Sequence, residues 1–370
     1  PAAHVVSGLD QPVPDAAEAV DALEARLRAT VAEQMVSDVP LGGLLSGGVD
    51  SSTIVALMQA QSSRPVHSFC IGFDEKKFNE AEFAKAVARH LGTHHTELYV
   101  RPQQALDLIP RLPGLFDEPV GDYSTIPTFL VARLARQHVT VALSGDGGDE
   151  LFCGYTRYFL ATRLWRALGW LPGPLRRLAA NLLLALRPLA AAATPLLPRA
   201  QDRVQRVADV LRMPDFDALY DNLNSHWRPP HSVVLGQDQA PALLRVEPEL
   251  RARLSSWQAM MLTDQRYFLP DHVLAKVDRA AMSVSLETRA PLLDHRVAEF
   301  ALRLPMSLKV RDGQSKWLLR QVLYRYVPRE LIERPKMGFT VPVSQWLRGP
   351  LGEWAEDLLD EQGLRRQNLF

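Results

Sequence analysis

From Leu41 onward, short apolar runs alternate with stretches in which apolar residues recur every three or four positions. Leu41–Leu45, Val66–Phe73, Thr96–Val100 and Val139–Leu143 have strand length; Thr53–Met58, Ala81–Leu91 and Ile126–Gln137 read as the helices between them. Such alternation predicts βαβ units, hence an α/β fold: a mostly parallel sheet with helices on both faces. Gly92 stands where a helix C-cap is expected. Upstream, Val20, Leu23, Leu27, Val31 and Met35 keep helical spacing behind Asp15, a candidate N-cap.

After about residue 155 the strand signals fade, and helices separated by prolines follow. The expected organisation is a linker over 1–14, an α/β core over 15–155, a mostly helical part over 156–350 that completes the substrate site, and a tail over 351–370. The linker reading rests on Pro12 and Pro14, and on a first residue, Pro1, that suggests a missing upstream domain. Leu178–Leu197 is the most apolar stretch, but Asn181, Arg187, Pro188 and Pro195 interrupt it. It reads as a hydrophobic helical hairpin or an interface rather than a membrane span.

Composition changes this picture little. Hydrophobic residues at 47% and charged residues at 23% are ordinary for a globular protein. A formal net charge of zero gives no global reason to expect nucleic acid or an anionic membrane. Cys70 and Cys153 have no paired spacing, which argues against a zinc site or a disulfide framework and fits a reducing compartment, the cytoplasm. One local bias stands out: Arg163, Arg166, Arg176, Arg177, Arg187, Arg199, Arg203 and Arg206 share their segment with one acid, Asp202. That segment could touch RNA or a membrane surface. Without interleaved stacking aromatics it is read as a solvated or partner-facing helix surface, so neither nucleic acid nor membrane is expected as a partner.

The chemistry concentrates in two strand-to-helix junctions. Ser46-Gly47-Gly48-Val49-Asp50-Ser51-Ser52 links the first strand to the first helix of the core. Glycines allow close backbone approach, the helix start offers unpaired N–H groups, and serines add hydroxyl donors, so the loop suits a phosphate. Asp50 is out of place in a plain anion site unless a divalent cation bridges it to the phosphates. The second junction, Ser144-Gly145-Asp146-Gly147-Gly148-Asp149-Glu150, follows Val139–Leu143. Both loops fall at carboxyl ends of strands, where ligands bind in parallel sheets. Asp50 and Asp149 would then flank a triphosphate with hard oxygen ligands suited to Mg²⁺. Capping of the following helix explains Asp149 and Glu150 equally well.

The first loop resembles the S-G-G-x-D-S-[ST] loop of ATP-pyrophosphatases, the parallel-sheet adenine-nucleotide α-hydrolase-like (PP-loop) fold. With S-G-D-G-G-D-E-L-F-C-G-Y some 95 residues later, the chain resembles the synthetase domain of glutamine-hydrolysing asparagine synthetases. Asp117-Glu118-Pro119 with Asp122 and Ser124, Lys276-Val277-Asp278-Arg279, the block Ser285–His295, Ser315-Lys316, and Arg334-Pro335-Lys336-Met337-Gly338-Phe339 match further family elements in order.

The resemblance implies that a carboxylate, by default aspartate, is adenylated with release of pyrophosphate, and that ammonia then displaces AMP to give the amide. It implies ATP and Mg²⁺ as cofactors. Ser46, Gly47, Gly48, Asp50, Ser51 and Ser52 would hold pyrophosphate, Asp50 and Asp149 the metal, and Leu45, Ile71, Ser144 and Gly145 the adenosine. Lys336 would neutralise the departing pyrophosphate, and Asp146 would face the substrate or its ammonia-accepting intermediate. Lys276, Asp278, Glu287 and Arg289 read either as site residues or as an ion-pair network joining helices, and His94-His95 as ordinary strand-edge residues. Full-length members carry an upstream glutaminase domain with a cysteine nucleophile, absent from these residues, so free ammonia is the expected nitrogen source here. A homodimer is possible in principle. The alternatives are the same chemistry on a sugar carboxylate, lactam closure, tRNA modification through a base adenylate, or a non-catalytic nucleotide-binding subunit.

Overall fold

The computed structural model describes residues 2–9, 12–75, 79–116, 120–188, 200–225, 246–334 and 341–368. The chain divides into two compact units, Pro1–Gly154 with Asp264–Gly363, and Tyr155–Thr263 with Leu364–Phe370. Residues 264–350, read from sequence as part of one long helical region, and 351–363, read as part of the tail, group with the sheet.

The first unit is built on five strands: β1 Leu41–Leu44, β2 His67–Phe73, β3 His94–Val100, β4 Val141–Leu143 and β5 Glu287–Arg289. Their order is β3-β2-β1-β4-β5 and every pairing is parallel. β1 lies beside β4, with Gly42 opposite Ala142 and Gly43 opposite Leu143. From β1 the sheet grows through β2 and β3 on one side, and from β4 through β5 on the other. That reversal is the switch point where parallel α/β sheets open a crevice for ligands, and both glycine loops start there.

The helices preceding the second unit are α1 Ala2–Leu9, α2 Ala16–Gln34, α3 Val49–Ala60, α4 Ala81–Leu91, α5 Pro102–Leu108, α6 Thr125–Arg136 and α7 Gly148–Phe152. Residues 2–9, read as linker, are helical, with Val5 buried and the helix packed on His295–Arg303. The two prolines mark the break after that helix. Asp15 caps α2 by accepting from the N–H groups of Ala17 and Glu18, at 2.8 and 3.3 Å. Val20, Leu23, Leu27 and Val31 form the buried face of α2. Ile54, Val55, Leu57 and Met58 make α3 apolar nearly all round, which is why it lies buried. Gly92 caps α4 in the left-handed region, φ 75°. α6 contributes Ile126, Phe129, Leu130, Val131 and Leu134 to the core beneath the sheet.

The second unit holds α8 Thr156–Leu168, α9 Gly173–Ala185 and α10 Ala200–Arg212. α9 packs on α10 through Ala180, Ala208 and Leu211, with Ala179, Leu183 and Leu184 around them. Arg176, one of the arginines of the basic segment, is buried and donates to the carbonyls of Leu171, Met213 and Pro214 at 3.1, 2.7 and 3.1 Å. The rest of the stretch 178–197 beyond Pro188 lies outside the described residues.

On returning to the first unit, Asp264–Leu274 winds as a π-helix, followed by α11 Ala275–Met282, α12 His295–Arg303 and α13 Trp317–Leu323. β5 gives no sequence signal because it is a three-residue edge strand, Glu-Thr-Arg, with no apolar alternation. Arg289 anchors it, donating to the carbonyls of Gln34 and Val36 at the end of α2, at 2.7 and 2.9 Å. No helix among the described residues is long and apolar enough to cross a membrane.

Candidate functional site

The first loop leaves β1 at Leu44, and α3 begins at Val49 with Gly48 in the N-cap position. Gly47 turns the chain at φ 72°. The serines fold onto one another: Ser46 N donates to Ser51 Oγ at 3.1 Å, the two hydroxyl oxygens lie 3.0 Å apart, and Gly48 N donates to Ser46 Oγ at 3.3 Å. Ser52 is fully buried, and its Oγ has no hydrogen-bond partner among the described residues. A buried hydroxyl without a partner costs about 1–3 kcal/mol, so the loop carries more donor capacity than its own fold uses.

The second loop leaves β4, turns at Gly147 (φ 92°) and starts α7 at Gly148. The two loops nest. A Cβ at Gly145 would fall 2.6 Å from Ser51 N, and one at Gly148 would strike the Asp50 carboxylate. Only glycine permits that approach, and it brings Asp50 and Asp149 toward one point.

That point is occupied by a lysine. Lys316 Nζ bonds Asp149 Oδ1 at 2.7 Å and also bonds Asp50 Oδ2. Lys316 is the left-handed residue (φ 55°) that precedes α13, its N–H donates to Phe152 O at 3.1 Å, and it is only 5% exposed. Gly154 leaves room for its arm, since a Cβ there would strike Lys316 Cε. Burial pulls the ammonium's pKa down, but Asp149 and Asp50 outweigh it and hold the group above the usual lysine range. Two carboxylates converging on one cation form a donor set that fits Mg²⁺, a hard cation that takes one or two carboxylates and fills its remaining positions with phosphate and water oxygens. Among the described residues no cluster of three or more His, Cys, Asp or Glu could hold a metal by itself.

A second charged cluster lies in the same unit. Asp122 accepts from Ser124 N at 2.8 Å and Ser124 Oγ at 2.6 Å; Lys276 Nζ donates to Asp122 Oδ2 at 2.9 Å and Ser124 Oγ at 2.6 Å. His272 Nε2 is 3.0 Å from the same Asp122 oxygen. Burial pushes the Asp122 carboxyl up, yet His272, Lys276 and Ser124 together hold it far below the usual carboxylate range. Asp146 accepts from Ser144 Oγ at 2.7 Å. Its carboxyl is pushed up by burial and by Asp149, against the opposing pulls of Ser144 and Lys276. Burial thus raises the Asp146 carboxyl, while its partners hold the Asp122 carboxyl down.

The structure brings together Ser46, Gly47, Gly48, Asp50, Ser51, Ser52, Ser144, Gly145, Asp146 and Asp149. Leu45, just after β1, and Ile71, within β2, are buried, Leu45 N bonding Phe69 O at 2.9 Å. Lys336 and Asp117-Glu118-Pro119 lie outside the described residues. Arg334 is described: its guanidinium sits over the Phe83 ring at 4.1 Å and reaches Ser46 O and Glu80 Oε1, each at 3.4 Å. Glu287 and Arg289 pair at 2.6 Å, while Asp278 and Arg279 pair at 3.6 Å on the surface. His94 and His95 lie on the edge strand β3, His95 Nδ1 being 2.8 Å from Ser68 Oγ. Sequence reasoning missed Lys316 and His272. Lys316 stood in a matched Ser-Lys element, but 266 positions separate it from Asp50 and no local pattern gave it a role.

The asparagine synthase family model matches residues 22–370. Asparagine synthetase (glutamine-hydrolyzing) 1 of Bacillus subtilis strain 168 is 32% identical over 88% of this chain and 50% of its own length. A Mycobacterium bovis protein, provisionally given the same enzyme name, is 36% identical over 90% of this chain and 50% of its own. Asparagine synthetase (glutamine-hydrolyzing) 3 of B. subtilis is 25% identical over 86% and 49%. The chain thus spans about half the length of these relatives. A match of this extent, on a parallel sheet with nested glycine loops, places the chain in the asparagine synthase family.

Proposed function

We propose that this chain is an ATP-dependent amide-forming synthetase. A carboxylate oxygen, by default of aspartate, attacks the α-phosphorus of ATP and pyrophosphate leaves. Ammonia then attacks the acyl carbon, AMP leaves with the acyl oxygen, and one proton is lost. The observation that carries the reading is the pair of nested glycine loops whose aspartates share one buried cation, Lys316. Ser46, Gly47, Gly48, Ser51 and Ser52 would cradle pyrophosphate, with the partnerless Ser52 hydroxyl as one ready donor. Leu45 and Ile71 would offer main-chain groups to the adenosine, beside Ser144 and Gly145.

Asp50 and Asp149 would hold Mg²⁺, which when bound supplies charge neutralisation to the phosphates. Lys316 pairs with both aspartates; its ammonium is then placed to turn toward phosphate oxygens and to stabilise charge on the leaving group. Lys336 would act on the same pyrophosphate. Asp146, with its carboxyl pushed up, suits the proton released when ammonia attacks. The names of the relatives favour aspartate as acceptor.

Pyrophosphate release tests the reading. With ATP, Mg²⁺ and ammonia, aspartate should stimulate it above a panel of other amino acids and sugar carboxylates. Stimulation only by a sugar acid would keep the chemistry and change the acceptor. No release with any acid would leave a nucleotide-binding subunit.

A further inference from the structure

α9 has two apolar faces, and among the described residues one of them packs on α10. Ala179, Ala180, Leu183 and Leu184 meet α10, while Leu175, Leu178 and Leu182, with Leu186 at the C-cap, are 50–61% exposed. The spacing of three, four and four residues puts these leucines on one stripe of about three turns, roughly 16 Å long. Trp170, just before the helix, is 77% exposed. Single exposed leucines need no explanation, but an aligned row beside an exposed tryptophan marks an interaction surface.

Charge in the same unit identifies the partner. Between Thr156 and Arg212 there are ten arginines, two aspartates, and no lysine or glutamate, in a chain whose formal net charge is zero. Arg163, Arg166, Arg177, Arg203, Arg206 and Arg212 are exposed, spread over α8, α9 and α10. A nucleic acid would be met by stacking aromatics, whereas the stripe is aliphatic. Leucines that enter an acyl boundary, a tryptophan at headgroup level and arginines facing anionic headgroups are the components of an interfacial helix. We infer that the unit Tyr155–Thr263 docks on the surface of an anionic lipid bilayer through the stripe Leu175, Leu178, Leu182 and Leu186. The segment first read as a solvated surface is then a peripheral membrane site, with none of the described helices long and apolar enough to cross the bilayer.

Co-sedimentation of the full chain with sucrose-loaded vesicles tests this. The protein should pellet with mixed phosphatidylglycerol–phosphatidylcholine vesicles and not with phosphatidylcholine alone, and raised salt should weaken the binding. The exposed double substitution Leu178→Ser with Leu182→Ser should lower vesicle affinity at least about ten-fold, with pyrophosphate release and melting midpoint unchanged. Should that variant misfold, Arg203→Gln with Arg206→Gln on α10 should weaken anionic binding several-fold. Absent or substitution-insensitive pelleting overturns the proposal. So does equal binding to neutral vesicles, a vesicle-free dimer that the leucine substitutions dissociate, or displacement from vesicles by RNA.

Discussion

Lys309 and Lys316 flank one small hairpin, Val310–Arg311 paired antiparallel with Gln314–Ser315, and both are buried, at 3% and 5% exposure. They are driven in opposite directions. Burial lowers Lys309 to about 8, and no carboxylate among the described residues opposes it. Burial acts on Lys316 as well, but Asp149 and Asp50 overcome it and raise the group above its ordinary range. Seven positions apart in the sequence, two buried lysines thus differ in what faces them. Their neighbours, not their burial, decide which ammonium is held firmly and which is held against a penalty. The arrangement around Lys316 has the marks of a site, and that around Lys309 of a structural compromise.

The sharpest way to break this contrast is Lys316→Met. Removing one preorganised donor from a developing anion costs roughly 10²–10³ in turnover, and leaving two carboxylates facing each other adds to that. Pyrophosphate release should therefore fall by about 10³-fold, with Lys316→Arg recovering little because a planar fork does not replace a point charge. Turnover within about two-fold of the parent would make Lys316 a purely structural counter-ion, since losing a transition-state contact must exceed that.

Next in size are Asp50→Asn and Asp149→Asn. Each keeps the side-chain volume and removes one charge from the pair around Lys316. Each should lower turnover by about 10²-fold, through weakened charge stabilisation of the phosphates, and raise the Mg²⁺ needed for half-maximal rate. A Mg²⁺ titration of pyrophosphate release reads both effects. If both variants keep the parent's Mg²⁺ dependence, the aspartates serve only to hold Lys316.

How much of this was legible beforehand differs between the two lysines' surroundings. The alternation of apolar runs reveals β1 to β4, and the glycine-serine loops announce themselves by composition, because local backbone demands are written in adjacent residues. Asp15 and Gly92 were readable as caps for the same reason. β5 was not, since three polar edge residues have no periodicity, and without β5 the return of residues 264–363 to the sheet unit stays hidden. Lys316 belongs to the same class of long-range fact: its partners lie on loops encoded far upstream, and burial of a lysine leaves no trace in its own neighbours. Resemblance directed attention to Lys336 instead, which lies outside the described residues.

Lys309→Met addresses the other side of the comparison. Below pH about 8 the amine is protonated in both the folded and unfolded states, so the cost of burying its charge is fully present. Between about 8 and the ordinary 10.5 the folded form loses its proton first, and stability rises with pH; above that range the cost is gone. The shift corresponds to ~3 kcal/mol. Lys309→Met should therefore melt several degrees higher than the parent at neutral pH, with unchanged pyrophosphate release, and the advantage should shrink as pH rises from about 8 toward 10.5. A pH-independent gain, or a loss of stability at neutral pH, would overturn the assignment of Lys309 as a buried cation that no described carboxylate faces.

The smallest effect is expected from Cys153, and it sharpens what surrounds Lys309. A thiolate there would attract the ammonium and raise its pKa, turning an isolated lysine into half of an ion pair. Burial, however, pushes the Cys153 thiol up to about 12, so it remains neutral through the range in which Lys309 titrates. A neutral thiol is a weak dipole and contributes little to the balance. In a Cys153→Ala background, the pH window over which Lys309→Met loses its stability advantage should therefore move by no more than about 0.3 unit, far less than the unit or more that an opposite charge exerts. Melting midpoints of the four proteins across that window make the measurement. A downward displacement of about one unit in the Ala background would mean that the thiolate had been supporting the ammonium, and the contrast between an escorted Lys316 and a solitary Lys309 would collapse into a difference between two kinds of partner.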